Sequence, residues 1–165
     1  MKEITINRLE LNSPNNTGPI ELYSLLVNYF NPYYPNFKEW YFSKLVNGLK
    51  RGDRGLYIAQ KGNEIQGVSI IKYCGSENSK ICTFFIFPNA RKNGIGSFLM
   101  GHSLDTLKQI CPRKPIIMTV PGERLYEPLG DYNFEKLTTK FGFKLADIAK
   151  NKYRTGNSEY IFKFQ

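Results

Sequence analysis

The stretch from residue 81 to residue 101 constrains the fold more than any other part of this sequence. Residues 81–87 read ICTFFIF, an apolar and aromatic run that is typical of a strand buried on both faces of a sheet. Pro88 and Asn89 end this strand, because proline cannot donate to a sheet ladder and asparagine tolerates turns. A helical pattern begins directly after Gly94. The sequence therefore predicts a buried strand, a short basic loop with two glycines and a long helix, in that order.

The loop between this strand and the helix has the composition of an anion site. The first N–H groups of a helix have no partner within the helix, and the helix dipole favours negative charge at that end. Gly94 and Gly96 lack the Cβ atom that would keep a phosphate away from the backbone, and Lys92 adds a positive charge. The glycine spacing matches neither the dinucleotide-binding fingerprint nor the P-loop. The pattern therefore indicates an anion site that is neither a dinucleotide-binding fingerprint nor a P-loop.

Composition and cysteine usage limit the class of protein. A chain of 165 residues with 41% hydrophobic residues fits one globular domain. No apolar run approaches the ~20 residues of a membrane span, and residues 1–6 lack the apolar core of a signal peptide. Cys74, Cys82 and Cys111 are odd in number and lack metal-ligand spacing. We therefore expect a cytoplasmic protein with reduced thiols, no metal site and no membrane partner.

The remaining segments show strand and helix patterns in a definite order. We expect a first strand within residues 2–10, helices over 20–30 and 37–50, and a hairpin of strands over 55–60 and 65–73. The central strand and the long helix follow, and then a buried strand over 115–120. Strand, helix and strand in this order imply a parallel crossover. A short helix over 133–141 and strands over 143–150 and 159–164 complete the order β-α-α-β-β-β-α-β-α-β-β.

The loop and the element order together resemble one known family. Arg91-Lys92-Asn93-Gly94-Ile95-Gly96 is similar to the signature Arg/Gln-x-x-Gly-x-Gly/Ala of the GCN5-related N-acetyltransferases, the GNAT family. The element order resembles that family over essentially the whole chain, and Phe141-Gly142-Phe143 falls where the family ends its last helix. The resemblance implies an α+β, three-layer, GNAT-like fold with a central mixed, mostly antiparallel sheet flanked by helices. It also implies a single domain over residues 1–165.

The same resemblance implies a function. A member of the family transfers an acetyl group from acetyl-CoA directly to a primary amine, here on a small molecule, a protein or an aminoacyl-tRNA. The end of the central strand would bind the pantetheine arm and the acetyl carbonyl, and the loop over 91–97 would bind the pyrophosphate through backbone N–H groups. The donor-binding residues implied in this way are Phe84, Ile86, Phe87, Arg91, Lys92, Asn93, Gly94, Ile95, Gly96, Ser97 and Asn133.

The chain departs from the family where proton transfer is expected. Many members carry a tyrosine four residues before the Gly-Phe pair, and this sequence has Thr138 there. The central strand has no glutamate to serve as a base. An amine needs a proton acceptor before it can attack, and the leaving thiolate benefits from a donor. Candidate catalytic residues lie before the last helix instead: Glu123, Tyr126 and Tyr132.

Two alternatives to an active enzyme stay open. The absent tyrosine is compatible with a catalytically silent module that binds coenzyme A. The formal charge of +9 favours an anionic ligand or partner and leaves nucleic acid open. The segments expected to form the acceptor groove would suit RNA or an acidic peptide, or would form core and solvated surface. They contain Tyr29, Tyr33, Tyr34, Trp40, Lys150, Lys152, Tyr153 and Arg154. We expect a monomer or a homodimer.

Overall fold

A seven-stranded sheet organises the structure, which is a computed structural model that describes residues 3–11, 18–126, 134–152 and 155–165, apart from the side chains of Glu123 and Tyr126. The strands are β1 (Ile4–Arg8), β2 (Arg54–Lys61), β3 (Glu64–Lys72), β4 (Ser79–Ile86), β5 (Ile116–Pro121), β6 (Phe143–Lys150) and β7 (Ser158–Phe164). Their spatial order is β1-β2-β3-β4-β5-β7-β6. Among the described strands, β4 and β5 pair in parallel and the other neighbours are antiparallel. The predicted mixed, mostly antiparallel sheet is confirmed.

The helices connect the strands in the predicted order, with one addition. They are α1 (Pro19–Phe30), α2, α3 (Ile95–Ile110), α4 (Gly122–Tyr126) and α5 (Phe134–Lys140). Helix α2 runs through Phe37–Trp40, a π-helical stretch Tyr41–Val46, and Asn47–Arg51, and it ends at Gly52 in the left-handed conformation that glycine favours. Helix α4 was not predicted from the sequence. In the part of the chain described here, no helix has the length and apolar composition needed to cross a membrane.

Two apolar clusters lie on opposite faces of the sheet, and they explain the three layers. On one face α1 and α2 contribute Leu22, Leu26, Tyr41 and Leu45, all fully buried. On the other face α3 contributes Leu99, Met100, Leu104 and Leu107. Strands β2 and β3 are buried almost throughout, because helices cover both of their faces.

Strands β4 and β5 separate after a short paired stretch, and this separation positions the site. They pair at three levels, Ser79 with Ile116, Lys80 with Ile117 and Ile81 with Met118. Strand β4 then continues to Ile86 and β5 to Pro121 without further pairing between them. The gap between their diverging ends, called the splay below, exposes backbone groups in the middle of the sheet. Unpaired backbone N–H and C=O groups are ready hydrogen-bonding partners for a ligand.

The cysteines correct one prediction from the sequence. A disulfide joins Cys74, just after β3, to Cys111 at the end of α3, with 5.5 Å between the Cα atoms. The expectation that all three thiols are reduced is therefore wrong for these two. Cys111 is buried, whereas Cys82 is a free, half-buried thiol. Sequence spacing gave no indication of the pair, because packing of α3 on the sheet brings the two cysteines together.

Reduction of this disulfide is expected to lower the free energy of unfolding by about 2–4 kcal/mol, because the bond closes a loop between residues 37 positions apart in the unfolded chain. Urea unfolding with and without reductant measures the difference. The Cys82→Ser variant should show the same difference, and Cys111→Ser should show none. Three reactive thiols in the unfolded but unreduced protein would contradict the pairing.

Candidate active site

The start of α3 has the geometry of the predicted anion site. Gly94 is the residue that precedes the helix, with φ of +77°, and a Cβ added there would meet no atom within 4 Å. Within the described residues, no side chain caps this end of the helix. Its first N–H groups are therefore accessible to a ligand. Lys140 of α5 donates to Ser97 Oγ at 3.1 Å, which places a further positive charge beside the first turn. These features fit a pyrophosphate.

The side chain of Arg91 supports the loop. Its Nε donates to the carbonyl oxygen of Ile86 at 3.0 Å, and its guanidinium lies 5.8 Å from the ring centre of Phe85. These contacts hold the loop against the end of β4. The Arg91 N–H is bonded to the carbonyl oxygen of Pro88, and binding of the donor by Arg91 stays a prediction.

The backbone at the end of β4 is partly used within the protein. Phe87 N–H donates to the carbonyl oxygen of Gln66 at 3.0 Å, and the Phe87 carbonyl accepts from Ala90 N–H at 2.9 Å. The Ile86 carbonyl accepts from Arg91 Nε. Because backbone groups alternate in direction along a strand, those of Phe84 and Ile86 face the side of β5. Donor binding by Phe84, Ile86 and Phe87 stays a prediction.

Three adjoining cavities extend from the start of α3 into the sheet. The first, of about 50 Å³, lies at the loop and is lined by residues that include Ile86, Lys92 and Gly96. The second, of about 30 Å³, lies in the splay. These two share Phe84, Arg124 and Phe134 as lining residues. The third, called the polar cavity below, has a volume of about 390 Å³. It shares Phe30, Tyr34, Cys82, Thr83 and Thr119 with the splay cavity, so the three form one path.

The polar cavity combines aromatic and charged walls. Its aromatic residues are Phe30, Tyr34, Phe37 and Trp40, and its charged residues are Arg54, Lys72, Lys80, Lys152 and Glu159. Tyr34, Trp40 and Lys152 belong to the segments that the sequence assigned to an acceptor groove. Arg54, Lys72, Lys80 and Glu159 were missed, because their positions in four different strands give no local pattern.

Glu159 is the one carboxylate among the described residues that line this cavity. It is 1% exposed, it forms an ion pair with Lys152, and it lies opposite Pro121 in the pairing of β5 and β7. The carboxylate is therefore on the β5 side, where the splay opens. Burial lowers the pKa of the Lys80 ammonium in the same cavity, against the opposing influence of Cys82 and Glu159.

The catalytic candidates taken from the sequence stay predictions. Tyr132, together with the donor-binding candidate Asn133, lies outside the described residues. Glu123 and Tyr126 belong to α4, but their side chains are also outside the described part of the structure. Thr138, at the position where many members of the family have tyrosine, is buried, and its hydroxyl donates to the carbonyl oxygen of Glu135 at 2.9 Å. That hydroxyl is used within α5.

His102 lies outside the candidate site. It lies on α3, with its ring 5.1 Å from that of Tyr57, and it lines none of the three cavities. Burial lowers the pKa of its imidazole.

The family of the chain follows from comparison with known proteins. The model of the acetyltransferase (GNAT) family matches residues 20–130, which is more than half of the chain. This protein belongs to the GNAT acetyltransferase family, and it is an acetyl-CoA-dependent acetyltransferase. No curated protein sequence matches it.

Solved structures show the same fold at low sequence identity. A protein from Desulfovibrio desulfuricans described as a GNAT-family acetyltransferase has a TM-score of 0.74 at 14% identity, with 99% of each chain covered. A GNAT acetyltransferase from Elizabethkingia anophelis, solved with acetyl-CoA bound, has a TM-score of 0.66 at 19% identity and covers 100% of this chain and 99% of its own. NAA60 from Arabidopsis thaliana, in complex with a bisubstrate analogue, has a TM-score of 0.69 at 15% identity. The match covers 98% of this chain and 97% of the NAA60 chain.

Proposed function

We propose that this protein acetylates the nitrogen of a primary amine by direct transfer from acetyl-CoA, and that residues 1–165 act as one domain. One observation carries the proposal: the three cavities form a path from the open start of α3, through the splay of β4 and β5, to a polar cavity under α1 and α2. Donor and acceptor can therefore approach one another from opposite ends of the path.

The residues of this chain contribute mainly by positioning. The first turn of α3 binds the pyrophosphate, and the backbone of Phe84 and Ile86 faces the arm that carries the thioester. When bound, acetyl-CoA supplies an activated acetyl group. A backbone N–H aimed at the acetyl carbonyl polarises it and stabilises the negative charge that develops on its oxygen. Holding the amine beside that carbonyl converts a bimolecular reaction into an effectively unimolecular one.

Glu159 is our candidate for the proton acceptor. An ammonium is not a nucleophile, so a base must take up a proton before or during attack. Glu159 is buried, lines the cavity proposed for the amine, and lies at the β5 side of the splay. The sequence-based candidates Glu123, Tyr126 and Tyr132 stay predictions for the base or for the acid that protonates the thiolate.

Calorimetry and a turnover assay test the proposal together. Titration with acetyl-CoA, and with coenzyme A alongside, should give one site per chain. Release of the coenzyme A thiol should then depend on the presence of a primary amine from a broad panel. Binding without turnover of any amine would favour the silent module. Absence of donor binding combined with steeply salt-dependent RNA binding would favour the nucleic-acid alternative. The cytoplasmic location and the monomeric or homodimeric state stay predictions.

A further inference from the structure

The polar cavity has more basic than acidic groups on its described walls. Four basic side chains line it, Arg54, Lys72, Lys80 and Lys152, together with one carboxylate, Glu159. Glu159 pairs with Lys152. In the described ranges, none of the other three basic groups forms an ion pair with a carboxylate. Three basic groups therefore face the cavity without a matching anion among the described residues.

The three unmatched groups lie in one row across the sheet. Arg54 of β2 pairs with Lys72 of β3, and Lys72 pairs with Lys80 of β4. The next residue in the row is Ile117 of β5, and the row continues to Lys163 of β7, which does not line the cavity. Like charges directly opposite one another on neighbouring strands are destabilising. A bound anion would relieve this repulsion, and the row therefore favours an anionic ligand.

Arg54 has a buried donor that a ligand can satisfy. The residue is 9% exposed, and its Nε is buried without a hydrogen-bond partner. The guanidinium lies 5.9 Å from the Trp40 ring centre, and Nη1 is 3.0 Å from Cys82 Sγ, so packing holds it in place. A buried donor without a partner costs free energy, and guanidinium matches a carboxylate in shape and charge. The Arg54 side chain lines the polar cavity.

We propose that the acceptor is a small primary amine that also carries a carboxylate group; this inference rests on the amine acetylation proposed above. The carboxylate binds at Arg54, Lys72 and Lys80. The body of the molecule packs on the aromatic walls at Phe37 and Trp40, and the amine extends towards the splay. A cavity of about 390 Å³ suits a small molecule. Amines with several positive charges are disfavoured, because the same row repels them.

The transfer balances without any further reactant. The amine nitrogen forms a bond to the acetyl carbon, and the bond between that carbon and the coenzyme A sulfur breaks. The proton lost by the amine passes to the base, and the thiolate takes up a proton as it leaves. The products are an N-acetyl amino acid or related amido carboxylate and coenzyme A.

Matched pairs of amines test the inference. The two members of a pair differ only in that one carries a carboxylate where the other carries a carboxamide. Suitable pairs are para-(aminomethyl)benzoate and its amide, and epsilon-aminocaproate and its amide, with cadaverine as a dication. Coenzyme A release is measured for the wild type, Arg54→Met, Lys72→Met and Lys163→Met. Lys163 is the matched control, since it pairs with Ile117 in the same row but is exposed and outside the cavity.

The wild type should use the carboxylate member of at least one pair with a kcat/KM roughly 10- to 100-fold above that of its amide. Arg54→Met and Lys72→Met should remove most of this preference by raising the KM for the carboxylate member. Lys163→Met should keep the preference. Equal or better use of the amides or of cadaverine would overturn the inference and leave amine acetylation intact.

A second readout separates the two proposals when no amine is turned over. Calorimetric titration with the same pairs then measures binding alone. If the wild type binds the carboxylate members selectively and Arg54→Met does not, the proposal of carboxylate recognition stands and the proposal of amine acetylation fails. Absence of both turnover and selective binding would overturn both proposals.

Discussion

Replacing Gly94 with glutamate is expected to reduce the affinity for acetyl-CoA by at least about 100-fold, since like charges brought together in a binding site cost several kcal/mol. Gly94 precedes the first turn of α3 in a left-handed conformation, and the space where its Cβ would lie is empty. A glutamate there directs a carboxylate at the position proposed for the pyrophosphate. It also competes for the N–H groups that the phosphate oxygens need. Titration calorimetry with acetyl-CoA measures the loss.

The chain contains a matched control for this variant. Gly52, at the end of α2, has the same φ of +77° and also has no atom within 4 Å of an added Cβ. The Gly52→Glu variant therefore introduces the same backbone strain and the same charge away from the loop. It should bind acetyl-CoA like the wild type, with a comparable loss of stability. A folded Gly94→Glu protein with unchanged affinity would show that the donor does not bind at this loop.

Replacing Glu159 with glutamine is expected to lower kcat by about 100-fold or more, the usual contribution of a positioned general base. The amide keeps the shape of the side chain but cannot take up the proton of the amine. Coenzyme A release at saturating acetyl-CoA and amine, compared between the variant and the wild type, measures the loss. Acetyl-CoA affinity should stay unchanged, because Glu159 lies away from the α3 loop.

Lys152→Met distinguishes proton transfer from a structural role of the ion pair. This variant keeps the carboxylate but removes its cationic partner. It should therefore retain most of the turnover that Glu159→Gln loses. If Glu159→Gln and Lys152→Met lose the same activity at every pH, the pair is structural. A base would then have to be sought among Glu123, Tyr126 and Tyr132.

The donor side of the site was predictable from sequence because its determinants are local. A buried strand, the residues Arg91 to Gly96 and an apolar helix follow one another directly, so their periodicity and glycine positions define a strand, a turn and a helix start. The parallel crossover of β4 and β5 follows from the same stretch, since a helix between two strands in one sheet imposes it. Even here the hydrogen bonds of Phe87 to Gln66 and Ala90 were not predictable, because they depend on where β3 and the next turn lie.

The acceptor side was decided by the tertiary structure. Arg54, Lys72 and Lys80 are far apart in the sequence, and only the register of three strands places them in one row. Glu159 lines the polar cavity because β7 pairs with β5, and Cys74 meets Cys111 because α3 packs on the sheet. Local sequence determines the type of each element through backbone preference and hydrophobic period. The pairing of strands and the packing of helices depend on contacts between distant segments, and those contacts bring the charges of the polar cavity together.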